Sequence, residues 1–323
     1  MFQRRRRPAV VLAVSAMLVT AVGAASGWST GAEAAGAAPG PALQTWGSTL
    51  ARTAGWQHSM PLRAVPGEDV PAVGTGATSR STNWSGYVAD GSTFSSVAAR
   101  WKVPTIQPSA GQEASATWIG IDGVTDRSLI QTGTAQDSSS AGTSYFAWAE
   151  VLPFAPEDLG PVSPGDEMSA SIVKANGTWT ISISDETENE GASGQVAYDG
   201  EGSSAEWVEE APTSSITGQV LPLADFGEVS FTDTGYGAST PGSVVLSRVQ
   251  MVDRAGHVIA APGSIVNHAF TITYRPPPGS GPPSPTGHGY DLVGSDGGVF
   301  VFGGGFYGSL PGLGVQVDDI TGI

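Results

Sequence analysis

The sequence contains no cysteine. That excludes disulfide staples, a thiol nucleophile and cysteine-based metal sites, and it leaves a chain of this size to hold itself together by core burial alone. Histidine is nearly as scarce: the four are His58, His257, His268 and His288. No two of them stand in an H-E-x-x-H arrangement, so zinc-hydrolase chemistry and serine catalysis with a histidine base find little support. Basic charge is short as well. Lys and Arg number 14 against 30 Asp and Glu, a net charge of −16, and such a surface repels nucleic acid and anionic lipid. Charged residues of both signs make up only 14% of the chain, while Ser, Thr and Gly abound, a balance that suits an extracellular β-protein. Beyond residue 22 no run is long and apolar enough to cross a bilayer as a helix. Long amphipathic helical periods are missing too.

What is present begins with an export pattern. Arg4 to Arg7 form a basic stretch, Pro8 to Val22 is small and apolar, and Ala32-Glu33-Ala34 fits an A-x-A cleavage site; residues 1–35 read as a signal peptide, and the protein is expected to be secreted, with no membrane association afterwards. Its removal takes four arginines and one glutamate, leaving 10 basic against 29 acidic side chains, or −19. Residues 36–80 are Ala-, Pro- and Gly-rich and read as a pro-segment or leader, with one candidate helix near 42–55. Residues 276–289 form a Pro/Gly linker. Residues 290–323, beginning Tyr290-Asp291-Leu292-Val293-Gly294-Ser295-Asp296-Gly297-Gly298, resemble one unit of a Gly/aromatic repeat of secreted actinobacterial proteins. A single unit cannot bury its own apolar face, so this segment is expected to be a truncated repeat without a part in the chemistry.

Between them, residues 81–275 are built of short strand patterns. Trp179 to Ser184 and Phe270 to Tyr274 alternate apolar and polar residues at period two. Further strands are expected at 86–89, 98–103, 114–121, 144–151, 167–173, 195–198, 205–209, 228–232 and 244–252. Asp-Gly and Asn-Gly pairs at 90–91, 122–123, 176–177 and 199–200 mark tight turns. Many strands without interleaved helices predict an all-β sandwich of two packed antiparallel sheets.

Common catalytic signatures fail inside this domain. The G-x-S-x-G match at Gly27 to Gly31 lies in the signal region and lacks a strand–turn–helix setting. Asp233-Thr234-Gly235 matches the aspartic-protease triplet, but that chemistry needs two carboxylates sharing a proton and no second triplet exists. Asp233 therefore reads as a turn residue.

A different constellation remains. In Trp118-Ile119-Gly120-Ile121-Asp122-Gly123, period two sends Trp118, Gly120 and Asp122 to one face, with glycine leaving room between the larger side chains. Leu129-Ile130-Gln131-Thr132-Gly133 folds back beside it and carries Gln131. Tyr145 to Glu150 puts Trp148 and Glu150 on one face, and Ala205-Glu206-Trp207-Val208 opposes Glu206 and Trp207. Together with Asn83-Trp84-Ser85-Gly86-Tyr87, Arg100-Trp101-Lys102-Val103-Pro104 and the loop Leu221-Pro222-Leu223-Ala224-Asp225-Phe226-Gly227, these segments resemble, in order, the motifs of the glutamic peptidases (eqolisins).

The resemblance covers about residues 81–275. It implies a concanavalin A-like sandwich and a secreted, acid-acting endopeptidase with Gln131 and Glu206 as its catalytic pair. Trp118, Asp122 and Glu150 match positions that line the family's cleft, as substrate-binding residues that would shape it and tune Glu206. The chain departs from some fungal members in having Phe146 where they carry an acid, and in lacking disulfides. Glu206 would take a proton from water and return it to the leaving nitrogen, while the Gln131 amide, neutral at any pH, would donate to the oxyanion. No cofactor or metal is implied; the partner is a polypeptide substrate and the protein is expected to be a monomer. Two other readings stand beside this one: a carbohydrate-binding sandwich using exposed tryptophans, and a glycosidase using Glu150 and Glu206 as a carboxylate pair.

Overall fold

The computed structural model describes residues 60–65 and 76–277, together with the backbone pairing of four short strands outside them. In chain order the strands are β1 (Gln44–Thr45), β2 (Gln57–His58), β3 (Thr78–Ser81), β4 (Trp84–Asp90), β5 (Phe94–Lys102), β6 (Glu113–Ile121), β7 (Ile130–Ser139), β8 (Gly142–Val151), β9 (Glu157–Pro161) and β10 (Glu167–Ala175). There follow β11 (Thr178–Asp185), β12 (Glu190–Val196), β13 (Ala205–Glu210), β14 (Thr213–Ser214), β15 (Glu228–Ala238), β16 (Val245–Val252), β17 (Val258–Pro262), β18 (Phe270–Tyr274), β19 (Tyr290–Val293) and β20 (Val299–Phe302). Among the described residues the only helical piece is one 3-10 turn, Pro241–Ser243.

Local sequence explains most of these strands. In β11 the apolar Trp179, Ile181 and Ile183 are buried while the intervening Thr and Ser face outward, the half-buried alternation expected of a layer with one solvated side. Asn176 and Gly177 both have positive φ, 52° and 81°, the conformation of the two-residue turn that joins β10 to β11 without splaying them. Strands β4 and β13 are buried at every position, because they run through the middle of a layer that is covered on both faces.

The strands follow one hydrogen-bonded path, β12-β11-β10-β5-β15-β18-β17-β16-β4-β13-β6-β7-β8-β9. The path folds on itself, so that β5 and β10 pack on β6, and β10 and β11 on β7. Trp101, Ile172, Trp179 and Ile181 of one layer meet Ile119, Ile121, Ile130 and Trp207 of the other in a shared core. The expected sandwich is thus present, but its two sheets are continuous through β17 and β16. The pairing is antiparallel except where β1 joins β12 and β3 joins β16.

Three expectations need adjusting. The strand read at 195–198 lies earlier, at Glu190–Val196, because it pairs residue by residue with β11. Strands β9 and β17 carry no clear alternation and were not legible; both are short and owe their form to a neighbour's ladder. Gln44–Thr45, inside the helix read over 42–55, pair with Ala192 and Ser193 as a strand, and the rest of that helix lies outside the described residues. So do residues 1–35 and nearly all of the linker. Of residues 290–323, the described part is one antiparallel hairpin, β19–β20.

Candidate active site

The layer β4-β13-β6-β7-β8 has a second face, turned away from the shared core, and the ladder fixes what stands on it. Antiparallel register opposes Glu206 to Gly120, Gly120 to Gln131 and Gln131 to Glu150. Opposed residues point to the same side of a sheet, so these four form one row. With adjacent strands about 4.8 Å apart, Glu206 and Gln131 stand roughly 10 Å apart at Cα with only a glycine between them. The next row is Val208, Trp118, Gly133 and Trp148. A Cβ on Gly133 would come 2.2 Å from the Thr117 carbonyl oxygen, so the close approach of β6 requires glycine there.

Gly120 does not leave the empty space read from the sequence. A Cβ at this position would lie 2.7 Å from Trp118 Cζ3 and 3.1 Å from Leu129 Cδ1. The Trp118 ring leans along its strand over the glycine and narrows the gap from one side. Trp118 is itself held: its indole N–H donates to Glu210 Oε2 at 2.9 Å, and its ring meets Trp84 edge-on with centroids 4.9 Å apart.

Gln131 and Glu150 are joined directly, with Gln131 Nε2 donating to Glu150 Oε2 at 2.9 Å. A carboxylate only accepts, so this bond fixes which end of the amide faces Glu150 and turns the Gln131 carbonyl oxygen away from it. Both residues are buried. Glu206 is fully buried and neither of its carboxyl oxygens has a hydrogen-bond partner. Burial holds its proton well above the usual carboxylate range; Ser204 beside it favours the charged form, and the charges of Asp122 and Asp126 oppose it. The Ser204 hydroxyl does not reach hydrogen-bond geometry with Glu206.

Asp122 shares the face but serves the loop before β13. Its Oδ2 accepts from the Tyr198 hydroxyl at 2.7 Å and the Gly202 amide at 2.9 Å, and its Oδ1 from the Ser203 amide and hydroxyl at 2.6 and 2.9 Å. With φ at 71°, Asp122 also turns the chain out of β6. Four bonds to residues 198–203 fix where Glu206 starts its strand. The five residues singled out in the sequence are therefore grouped as Glu206, Gln131 and Glu150 in one row, Trp118 over the gap, and Asp122 at the end as an anchor. Glu150 neighbours Gln131 rather than Glu206, which it was expected to tune.

Residues 60–63, within the segment read as a leader, are bonded at this face. Leu62 packs against the apolar cluster of Trp84, Val88, Trp118, Leu129 and Trp148. The main chain of residues 60–63 is bonded to Asn83, Trp84, Glu210 and Gly123. Strand β2 just before it pairs with β14.

Sequence reasoning missed Asp126, Tyr198, Ser204 and Glu210. Asp126 and Tyr198 sit in loops, where pairing gives no clue to proximity. Glu210 was legible only as the same-face neighbour of Glu206 and Val208 at period two, a signal present but not pursued. A cavity of about 830 Å³ between residues 217–223 and 252–254 contains neither Gln131 nor Glu206. The glycosidase reading gains no support: Glu206 and Glu150 are separated in the row by Gly120 and Gln131, and Glu150 accepts from Gln131 Nε2. Every described tryptophan is buried, Trp148 the most exposed at 3%, so no described tryptophan offers a sugar-stacking platform. Asp233 lies at φ 50° where β15 shifts register against β5, and pairs with Arg100 at 3.6 Å on the surface. It is a bulge residue.

A sequence profile of the Peptidase A4 family matches residues 82–274. Scytalidopepsin B of Scytalidium lignicola is 32% identical over 197 residues, which is 57% of this chain and 70% of that protein. Two crystal structures of scytalido-glutamic peptidase, one with a transition-state analogue inhibitor and one with a peptide-based transition-state analogue, superpose with a TM-score of 0.52. Each is 24% identical, over 60% of this chain and 98% of the other. These structures share its fold.

Proposed function

The chain belongs to the Peptidase A4 family and is a glutamic-type endopeptidase, and from that premise we propose that it is secreted, acts in acid and cleaves peptide bonds with Glu206 and Gln131. The observation that carries this reading is the row Glu206–Gly120–Gln131–Glu150 on one face of one layer. A peptide carbonyl seated over Gly120 comes within reach of both outer side chains.

Amide hydrolysis needs an activated water, a stabilised oxyanion and a proton for the leaving nitrogen. Glu206 as carboxylate takes the proton of the attacking water, and as acid delivers it to nitrogen. Gln131 donates an amide hydrogen to the oxyanion while Glu150, bonded to the same Nε2, keeps the amide from flipping. Burial and the acids at 122 and 126 keep the proton on Glu206 in this covered state, the form that delivers a proton to nitrogen; the base step requires the carboxylate, which water admitted to the opened face favours. A site crowded with carboxyl groups works best while part of them are neutral, and the rate falls once they ionise together.

The leader supports a zymogen. Glu206 is fully buried, and residues 60–63 are bonded at the same face of the layer, so a substrate entering along this face has to displace them. The active secreted protein is then expected to begin near Thr78–Asn83, which N-terminal sequencing reads directly; fully active protein beginning near Ala35 overturns the zymogen. For the chemistry, the processed protein is incubated with denatured casein at about pH 3–4 and at pH 7 beside Gln131→Ala and Glu206→Gln. Cleavage confined to acid and lost in both variants is expected. Retention of full activity in either variant removes the pair.

A further inference from the structure

The leader is held in a way that says what else the site holds. Met60 N–H donates to Glu210 Oε1 at 3.0 Å. The Met60 carbonyl accepts from Trp84 Nε1 at 2.9 Å and Asn83 Nδ2 at 3.3 Å, and the Pro61 carbonyl from Asn83 Nδ2 at 3.2 Å. Leu62 N–H donates to the Gly123 carbonyl at 2.9 Å, and Arg63 N–H to Asn83 Oδ1 at 2.8 Å. The Arg63 carbonyl accepts from Thr82 N–H at 2.9 Å and Ser81 Oγ at 3.0 Å. Every one of these bonds uses a main-chain atom of the leader. The partners on the domain include three fully buried side chains, Asn83, Trp84 and Glu210. Glu210 is preset from behind, with Trp118 Nε1 on its other oxygen.

Recognition through main-chain atoms is indifferent to sequence, apart from the pockets that alternate side chains enter. Among the described residues of this segment, the side chain packed against the apolar cluster of the face is that of Leu62. We propose that Asn83, Trp84 and Glu210 form an extended-peptide clamp of the substrate cleft, occupied by Met60–Arg63 in the precursor and by a substrate's main chain, with an apolar residue at the Leu62 position, in the processed enzyme. The proposal rests on the peptidase reading, because Glu210 stands on the same face of β13 as Glu206, four residues along the strand. It adds a binding subsite beside the reacting atoms, one that reads the backbone through an amide and a carboxylate and selects one apolar side chain.

The test uses the secreted, processed protein and a synthetic peptide of residues 57–65, with binding followed by calorimetry and inhibition by casein cleavage. The peptide is expected to compete with substrate. N-methylation at Met60, Leu62 or Arg63 each removes one donated N–H and is expected to weaken binding roughly tenfold. Replacing the Met60 side chain by norleucine or Arg63 by Ala is expected to leave affinity within about threefold, whereas Leu62→Ala weakens it. Asn83→Ala and the isosteric Glu210→Gln are expected to raise KM far more than they lower kcat, with melting temperatures recorded to separate misfolding from lost binding. Casein cleavage with no competition by the peptide, or equal affinity for the N-methylated and parent peptides, overturns the clamp and leaves the peptidase standing. Binding with the expected N-methyl pattern in a protein that cleaves nothing upholds the clamp and overturns the proposed chemistry.

Discussion

Glu206 and Glu209 stand three residues apart on β13, both fully buried, and point to opposite faces of one layer. Glu209 enters the shared core, where its Oε2 accepts the Thr117 hydroxyl at 2.5 Å. Around it a chain of neutral groups continues: Ser115 donates to Gln136, and Gln136 and the Trp101 indole both donate to Thr134. Glu206 faces the leader-covered side and has no partner. Burial raises the proton affinity of both, that of Glu209 to about 7 against the favourable bonds of Thr117 and Ser115, that of Glu206 well above the ordinary carboxylate range, with Asp122 and Asp126 adding to it. A buried polar group is normally satisfied by the fold. Glu209 is held through one oxygen, its Oε1 having no partner, whereas Glu206 is held through neither, and an outside group fits the latter.

The largest effect should separate them by activity. Glu206→Gln is expected to lower kcat on casein by about 10²–10⁴-fold, and Glu209→Gln to leave it nearly unchanged; equal losses would erase the contrast. The next concerns stability. Glu209 binds its proton more tightly folded than unfolded, so its contribution is intact below the ordinary carboxyl value and is lost as pH rises toward 7. Between about pH 4.5 and 7 the unfolded chain has released that proton and the native state has not, so stability falls by roughly 3 kcal/mol over the window. Denaturant melts across that range should show the decline, and Glu209→Gln should flatten it; an unchanged slope would move the titrating group elsewhere. Thr117→Val leaves the buried Glu209 oxygen without its donor and is expected to cost about 1–3 kcal/mol, measurable as a lowered denaturation midpoint with kcat preserved. Smallest of all, Asp233→Asn, which suits the same positive φ, removes an exposed pair with Arg100 and is expected to change stability by less than about 0.5 kcal/mol.

The legible part of the site was the part governed by period two. Alternation alone placed Trp118 with Gly120 and Asp122, Trp148 with Glu150, and Glu206 opposite Trp207, and the ladder keeps each of these groupings. Roles that depend on a partner strand were not legible. Glu150 was expected to act on Glu206, but register gives it to Gln131, and no spacing within one strand reveals which strand lies next to it. Gly120 was read as vacancy, yet a side chain two residues away leans over it. Asp122 was read as a cleft residue, and a loop some eighty residues further on claims both its oxygens.

The sequence by itself determined an all-β domain at about 81–275, strands whose faces are set by alternation, turns set by Asn-Gly and Asp-Gly, and a short roster of polar residues with the chemistry to cleave an amide. Only the tertiary structure decided that β13, β6, β7 and β8 are consecutive neighbours, that Glu206 and Gln131 flank a single glycine, and that the leader's backbone occupies Asn83, Trp84 and Glu210. The physical reason is that side-chain direction along a strand follows from local backbone geometry, whereas strand order and register are chosen by burial summed over the whole core.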